Sequence, residues 1–178
     1  MKKGLLILFS LLVVTSMFAF TQGAMLVGGT AGLSIEKDNS DDDPATRISL
    51  YPQLGYFVID KLCADLIVKV ETMSQDEDTE TTLGAGIGGR YFFDNLYAGL
   101  DFLYQQKSSD KEFVGKHKET AMYGTLKGGY LFPISSKTFV DLRGHYMMGL
   151  GDYGADRSGK NESSLFGFVA GLQILLGN

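Results

Sequence analysis

The chain has 178 residues, with 16 Lys and Arg against 21 Asp and Glu, which gives a formal net charge of −5. This acidic balance argues against nucleic acid as a partner, because binding to phosphates needs a basic surface. Cys63 is the only cysteine, so no disulfide can form within the chain.

The N-terminus predicts a cleaved secretory signal peptide. Two lysines precede an apolar run over 4–14, and the small residues that follow suit cleavage after Gly23 or Ala24. The alternative is a membrane anchor, but the run is shorter than the ~20 residues of a spanning helix. We therefore divide the chain into a signal peptide over 1–24 and a single domain over 25–178. Loss of the two lysines takes the net charge to −7.

Eight runs of alternating residues predict eight β-strands. The clearest covers 62–72, where one parity is apolar and the other carries Asp65, Lys69 and Glu71. Side chains alternate between the two faces of a strand, so this strand separates an apolar from a polar environment. The predicted strands are Met25–Glu36, Thr46–Val58, Leu62–Met73, Thr81–Phe93, Leu96–Lys107, Glu119–Phe132, Thr138–Leu150 and Glu162–Leu176.

The connectors alternate in length. Those after the second, fourth and sixth strands are tight, while those after the other strands are longer and polar. Tight turns at one end and long loops at the other are typical of closed up-and-down barrels that cross the bacterial outer membrane. The even strand count then predicts that both termini are periplasmic.

Side-chain size predicts which parity faces inward. The interior of an eight-stranded barrel is narrow, and the apolar parity is too bulky to fill it. The other parity is rich in glycine and holds nearly all strand charges, whose signs nearly cancel, as burial requires. The predicted ionic network of the lumen comprises Glu36, Arg47, Asp65, Lys69, Glu71, Arg90, Asp101, Lys127, Asp141, Arg143 and His145. A soluble lipocalin-like carrier would reverse this facing.

Aromatic residues gather beside the tight turns of three hairpins. Amphipathic rings favour the headgroup level of a membrane, so these residues predict one aromatic girdle. Its predicted members are Tyr56, Tyr91, Phe93, Tyr97, Tyr130, Phe132 and Phe139.

A weak internal repeat supports the hairpins. Residues 56–64 (YFVIDKLCA) are similar to 91–98 (YFFDNLYA), and 130–133 (YLFP) open a third copy. With its strand count and loop asymmetry, the chain resembles the small eight-stranded outer-membrane barrels typified by OmpA and OmpX. The resemblance implies a charged, hydrogen-bonded core and exposed loops as the variable surface, but it does not fix a function.

No catalytic motif stands out. His145 shares the polar parity with Asp141, so the pair could form a base in the lumen, as a lipid-modifying barrel enzyme would need; a histidine held within the ionic core is the favoured interpretation. Neither the acidic loops nor the two histidines match a metal site, and we expect no cofactor.

The expected function is therefore that of a non-enzymatic outer-membrane barrel of a Gram-negative bacterium, structural or interacting through its loops. Its lumen is expected to be filled by side chains, with at most a narrow pore. The expected partners are outer-membrane lipid and lipopolysaccharide, the barrel-assembly machinery and an unidentified ligand of the extracellular loops.

Overall fold

Eight antiparallel strands close into a barrel in chain order, with β1 pairing both β2 and β8. The computed structural model describes residues 20–36, 45–75, 78–111, 115–150 and 164–177. The strands are β1 (Met25–Glu36), β2 (Ala45–Ile59), β3 (Leu62–Gln75), β4 (Asp78–Phe93), β5 (Leu96–Lys111), β6 (Gly115–Pro133), β7 (Thr138–Gly149) and β8 (Ser164–Leu176). The predicted fold class, an all-β eight-stranded up-and-down barrel, is confirmed.

Two of the predicted long loops are mostly strand. β3 and β4 stay paired as far as Gln75 and Asp78, and β5 and β6 stay paired as far as Lys111 and Gly115. Polar residues there obscure the alternation, but the pairing continues because each new ladder step satisfies more backbone groups. The predicted long connectors over 37–45 and 151–161 lie almost wholly outside the described residues.

The tight connectors are placed as predicted. Residues 60–61, 94–95 and 134–137 connect their strands at one end of the barrel, which we call the turn end. Lys61 and Asp94 adopt positive φ values of 66° and 56°, the left-handed conformation that short hairpin turns need. The opposite end is called the loop end.

The facing of the two parities agrees with the argument from side-chain size. Large apolar residues cover the outer surface; for example, Ile87 is 65% exposed and Phe168 is 78% exposed. Asp65, Arg90 and Asp141 are buried within the barrel. The reversed facing of a lipocalin-like carrier is therefore wrong for this chain.

Pro52 lies within β2 and causes no bulge. The β2–β3 register is the same before and after it, with Leu50 opposite Val70 and Gln53 opposite Ile67. Pro52 instead lies opposite Gly29 of β1, and the ladder to β3 has a gap at this point. The register shift of β2 comes later, between Phe57 and Ile59, beside the tight turn.

Within the described ranges, no helix is long and apolar enough to cross a membrane.

Candidate functional site

The interior of the barrel is apolar at the turn end. Phe57, Phe92 and Phe139 point inward from three strands and surround Phe20, which precedes β1. The Phe20 ring centroid lies 4.6 Å from that of Phe92 and 5.3 Å from that of Phe57. We call this group the turn-end cluster; its members are Phe20, Ala24, Leu26, Phe57, Cys63, Phe92, Tyr97, Leu131, Phe139 and Leu175.

A buried ion group of two acids and two bases adjoins the turn-end cluster. Arg90 donates from Nε to Asp65 Oδ2 at 2.8 Å and from Nη2 to Asp65 Oδ1 at 2.7 Å. Lys127 Nζ lies 3.2 Å from Asp65 Oδ2 and 2.6 Å from Asp101 Oδ1. Two positive and two negative charges therefore neutralise one another, as burial requires. Because Asp65 is on β3 and Lys127 is on β6, this group crosses the interior.

A second group is centred on Asp141. Its Oδ1 accepts a hydrogen bond from the Tyr97 hydroxyl at 2.7 Å, and its Oδ2 accepts from Arg143 at 2.7 Å and Gln173 at 3.2 Å. Arg143 also donates to Tyr97 at 2.8 Å and to Gln53 Oε1 at 2.8 Å. The bond from Arg143 on β7 to Gln53 on β2 joins strands that are not neighbours, as do the bonds between Tyr97 on β5 and the two β7 residues.

A third group lies further toward the loop end. Lys69 Nζ is 3.3 Å from Glu71 Oε2 and donates to Gln105 Oε1 at 3.0 Å. Arg47 lies 3.7 Å from Glu71, which also accepts a hydrogen bond from Ser49 at 3.1 Å. The Lys69 side chain is buried at 3% exposure, whereas those of Glu71 at 12% and Arg47 at 28% are partly open to solvent. The pairing of Arg47 with Glu71 therefore contributes less than that of the buried groups.

Inward-facing glycines provide the space for these groups. A Cβ at Gly55 would lie 2.9 Å from Asp65 Oδ1 and 3.0 Å from Arg90 Nη2. A Cβ at Gly129 would lie 2.5 Å from the Tyr97 hydroxyl oxygen. The inward-facing glycines therefore leave room inside the barrel for the charged and phenolic side chains.

The structure brings together nine of the eleven predicted network residues in the three groups. They are Arg47, Asp65, Lys69, Glu71, Arg90, Asp101, Lys127, Asp141 and Arg143. Glu36 ends β1, and its side chain lies outside the described part of the structure.

His145 faces inward but takes no part in the three groups. Its ring packs on Gly167, where a Cβ would lie 2.9 Å from His145 Cε1. Asp141, its partner in the alternative interpretation of a base in the lumen, already binds Tyr97, Arg143 and Gln173. No described carboxylate forms an ion pair with His145, so its predicted place in the ionic network is wrong.

His145 lines a cavity on the loop-end side of the buried ion groups. The lining includes the cations Lys127 and Arg143, the hydroxyl residues Thr30 and Tyr51, and several apolar side chains. Among the described residues, no hydrogen-bond partner reaches Thr30 Oγ1, which is buried. No cluster of three or more His, Cys, Asp or Glu suited to a metal ion occurs in the described ranges.

Of the seven residues of the predicted aromatic girdle, three lie exposed on the outer surface, two have intermediate exposure and two lie inside the barrel. Tyr56, Tyr91 and Phe93 are exposed on the outer surface, and the less exposed Tyr130 and Phe132 form a ring pair with centroids 4.5 Å apart. In contrast, Tyr97 is 1% exposed and Phe139 is fully buried. Both share the parity of the buried carboxylates Asp101 and Asp141, which directs their rings into the barrel.

The inner lining of the turn end includes residues that are absent from the predicted network and girdle. Phe57 and Phe92 stand two residues from Gly55 and Arg90 on the inward parity, and both are fully buried. The alternation contained this signal, because every second residue from a network charge must also face inward. The contribution of Phe20 carried no such signal, since it precedes the first strand.

Comparison with solved structures shows a fold shared with outer-membrane proteins. The outer membrane protein OprG from Pseudomonas aeruginosa superimposes with a TM-score of 0.53 at 12% sequence identity, covering 90% of this chain and 99% of OprG. The chain has the fold of an outer-membrane barrel. The loop L8 deletion mutant of OmpT, an outer membrane protein of Vibrio cholerae, gives a TM-score of 0.40 at 12% identity, covering 86% of this chain and 50% of that one. No protein-family model and no curated protein sequence matches the chain.

Proposed function

We propose that this protein is a bacterial outer-membrane barrel with a structural role, or one exerted through its loops, and that its lumen is closed by its own side chains. The observation that carries the proposal is the pair of connections across the interior, Lys127 to Asp65 and Arg143 to Gln53. They join strands on different sides of the barrel at a level where an open pore would need water. The turn-end cluster adds an apolar layer below them.

The membrane location is supported by the outer surface. Apolar residues such as Leu66, Ile87 and Leu100 are more than half exposed, which water would disfavour over so large an area. The same residues fit a lipid-facing band, and Tyr56, Tyr91 and Phe93 fit an interfacial girdle at the turn end. In this orientation the turns and both termini are periplasmic, and the partners at the surface are outer-membrane lipid and lipopolysaccharide.

Planar-bilayer recording tests the closed lumen. The refolded protein is expected to give no steady, large single-channel currents, while a 16-stranded porin recorded in the same bilayers serves as the positive control. Membrane insertion is verified separately by resistance of the folded protein to protease in vesicles. Steady large currents from the inserted protein would contradict the proposal.

We expect the protein to have no enzymatic activity, and a substitution at His145 tests this expectation. A base in the lumen would need a partner to orient the imidazole, and Asp141 is engaged by three other side chains. We expect the lipid A acyl chains of cells that express the wild type to match those of cells that express His145→Ala. A difference in lipid A acyl chains between the two strains would mean that the protein modifies lipid, and the structural role would be withdrawn.

A further inference from the structure

We propose that residues Phe20–Ala24 belong to the mature protein as a plug of the turn end, and that the signal peptide is therefore cleaved before Phe20. The sequence pattern predicts cleavage after Gly23 or Ala24, which would remove the plug. These five residues contact the barrel through buried side chains and through backbone hydrogen bonds.

The side chains of the plug are part of the buried core. Phe20 is 3% exposed and Ala24 is 3% exposed, whereas the three residues between them are exposed. The Phe20 ring contacts aromatic rings from three strands, with centroid distances of 5.3 Å to Phe57, 4.6 Å to Phe92 and 6.0 Å to Phe139. Its removal would leave a cavity the size of a phenyl ring among aromatic side chains.

The backbone of the plug is hydrogen-bonded to the barrel at both of its ends. Gly23 N donates to Phe57 O at 2.9 Å, and Phe57 N donates to Ala24 O at 2.9 Å. At the other end, Lys61 N in the first tight turn donates to Phe20 O at 3.0 Å. Cleavage after Ala24 would leave the backbone N–H and carbonyl of the buried Phe57 without these partners, at a cost that buried backbone groups rarely bear. It would also remove the carbonyl partner of the exposed Lys61.

The exposed residue Gln22 secures the same turn from outside. Its backbone N donates to Asp60 Oδ1 at 2.8 Å and its side-chain Nε2 donates to Val58 O at 3.0 Å. Gly23 has a φ of +86°, a conformation that side-chain-bearing residues rarely adopt, and this lets the chain turn from the plug into β1. Residues 20–24 therefore make the specific side-chain and backbone contacts of an ordered part of the barrel.

The sequence offers processing sites that would preserve the plug. Small residues suited to the position before the cut are Ser16 and Ala19, and both follow the apolar run of the signal peptide. Cleavage after either would give a mature chain that begins between residues 17 and 20.

N-terminal sequencing and intact mass of the processed protein test the site directly. The full chain, with its own leader, is expressed in a Gram-negative host and purified from the membrane fraction. The expected N-terminus lies between residues 17 and 20. An N-terminus beyond Phe20, or a leader that stays uncleaved, would overturn the proposal. This result does not depend on whether the barrel conducts ions or binds a partner.

Cys63 provides a second test, because it is the only thiol and is buried in the same cluster. In folded, processed protein, a water-soluble maleimide is expected to label Cys63 slowly. Phe20→Ala should raise the labelling rate at least about tenfold, since the cavity opens a path from the turn end. Thr21→Ala, on the exposed side of the plug, should label like the parent.

A volume-conserving variant keeps this test interpretable. Phe20→Leu retains most of the apolar volume, so it should fold even if Phe20→Ala does not, with labelling between the two extremes. Heat-modifiable gel mobility verifies that each labelled sample is folded. Equal labelling rates for folded parent and folded Phe20→Ala, or fast labelling of the folded parent, would show that residue 20 does not seal this end.

Discussion

Arg90 holds Asp65 through two parallel hydrogen bonds of 2.7 and 2.8 Å, and neither side chain has any exposed surface. The guanidinium also lies 5.5 Å above the Phe92 ring and 5.4 Å above the Tyr97 ring, measured from Cζ to the ring centroids. The pair thus connects the charged middle of the barrel to its apolar turn end. A guanidinium suits this position because its planar edge fits the carboxylate while its face stacks on the rings.

Removing the charge of Asp65 should destabilise the barrel strongly. Asp65→Asn keeps the shape but leaves Arg90 uncompensated and takes one of two carboxylate partners from Lys127. Breaking a buried pair in this way costs about 3–5 kcal/mol of unfolding free energy. Urea unfolding in lipid vesicles, followed by circular dichroism because the chain has no Trp, would measure the loss.

Two further variants test whether the loss of stability comes from the uncompensated buried charge of Arg90. Lys107→Ala breaks an ion pair with Glu80 that is 2.6 Å long but 44% exposed on the lysine side, so it should cost less than about 1 kcal/mol. The double variant Asp65→Asn with Arg90→Met removes both charges of the pair and should be more stable than Asp65→Asn alone. Arg90→Met is measured alone as well; if the loss of the double variant equals the sum of the losses of Asp65→Asn and Arg90→Met, the uncompensated charge of Arg90 is not the cause of the destabilisation.

Adjacent glycines of β6 should respond differently to one added methyl group. A Cβ at Gly129 would lie 2.5 Å from the hydroxyl oxygen of Tyr97 and 2.7 Å from the carbonyl oxygen of Leu142. A Cβ at Gly128 would meet only the carbonyl oxygen of Tyr97, at an ordinary 3.6 Å. Gly129→Ala should therefore cost about 1–3 kcal/mol by overpacking. Equilibrium unfolding of both variants would test this, and equal stabilities would mean that the inner wall has room to spare.

The sequence predicted the barrel well because alternation and side-chain volume both act over whole strands. Eight alternating runs, three tight turns and the bulk of one parity were enough to predict strand number, closure and facing. Asp65, Arg90, Lys127 and Asp141 followed from the same alternation. The exact partners did not, since pairing such as Lys127 with Asp65 depends on which strands lie opposite each other across the closed barrel.

The wrong predictions have a common physical origin. Nearness to a turn predicts a girdle position for Tyr97 and Phe139, but their parity directs both rings inward. Parity alone predicts a network position for His145, but packing on Gly167 and competition for Asp141 decide its contacts. Parity predicts which side of the wall a residue faces; it does not predict the partner or the depth.

Both the ring and the hydroxyl group of Tyr97 should contribute to the stability of the barrel. It donates to Asp141 Oδ1 at 2.7 Å and accepts from Arg143 Nε at 2.8 Å, so Tyr97→Phe leaves two charged groups each short of one hydrogen bond. The expected loss is about 1–3 kcal/mol of unfolding free energy. Tyr104→Phe, on the outer surface of the same strand, should stay within about 0.5 kcal/mol of the parent. A loss as small for Tyr97→Phe as for Tyr104→Phe would show that the hydroxyl is dispensable to the Asp141 group.

Lysine scanning of the outer surface should reveal how deeply each position sits in lipid. Ile87 of β4 is 65% exposed. At ~3.3 Å per residue and a strand tilt of ~40°, residue 87 lies about 15 Å along the barrel axis from residue 93 at the turn end. That depth corresponds to the middle of an apolar band about 25 Å tall. Ile87→Lys should cost about 2–4 kcal/mol in vesicles, while Ile59→Lys, 54% exposed beside the first tight turn, should cost about 0–1 kcal/mol. Equal, small costs at both positions would mean that the apolar outer surface does not face lipid, because water solvates lysine equally well at either end of a strand.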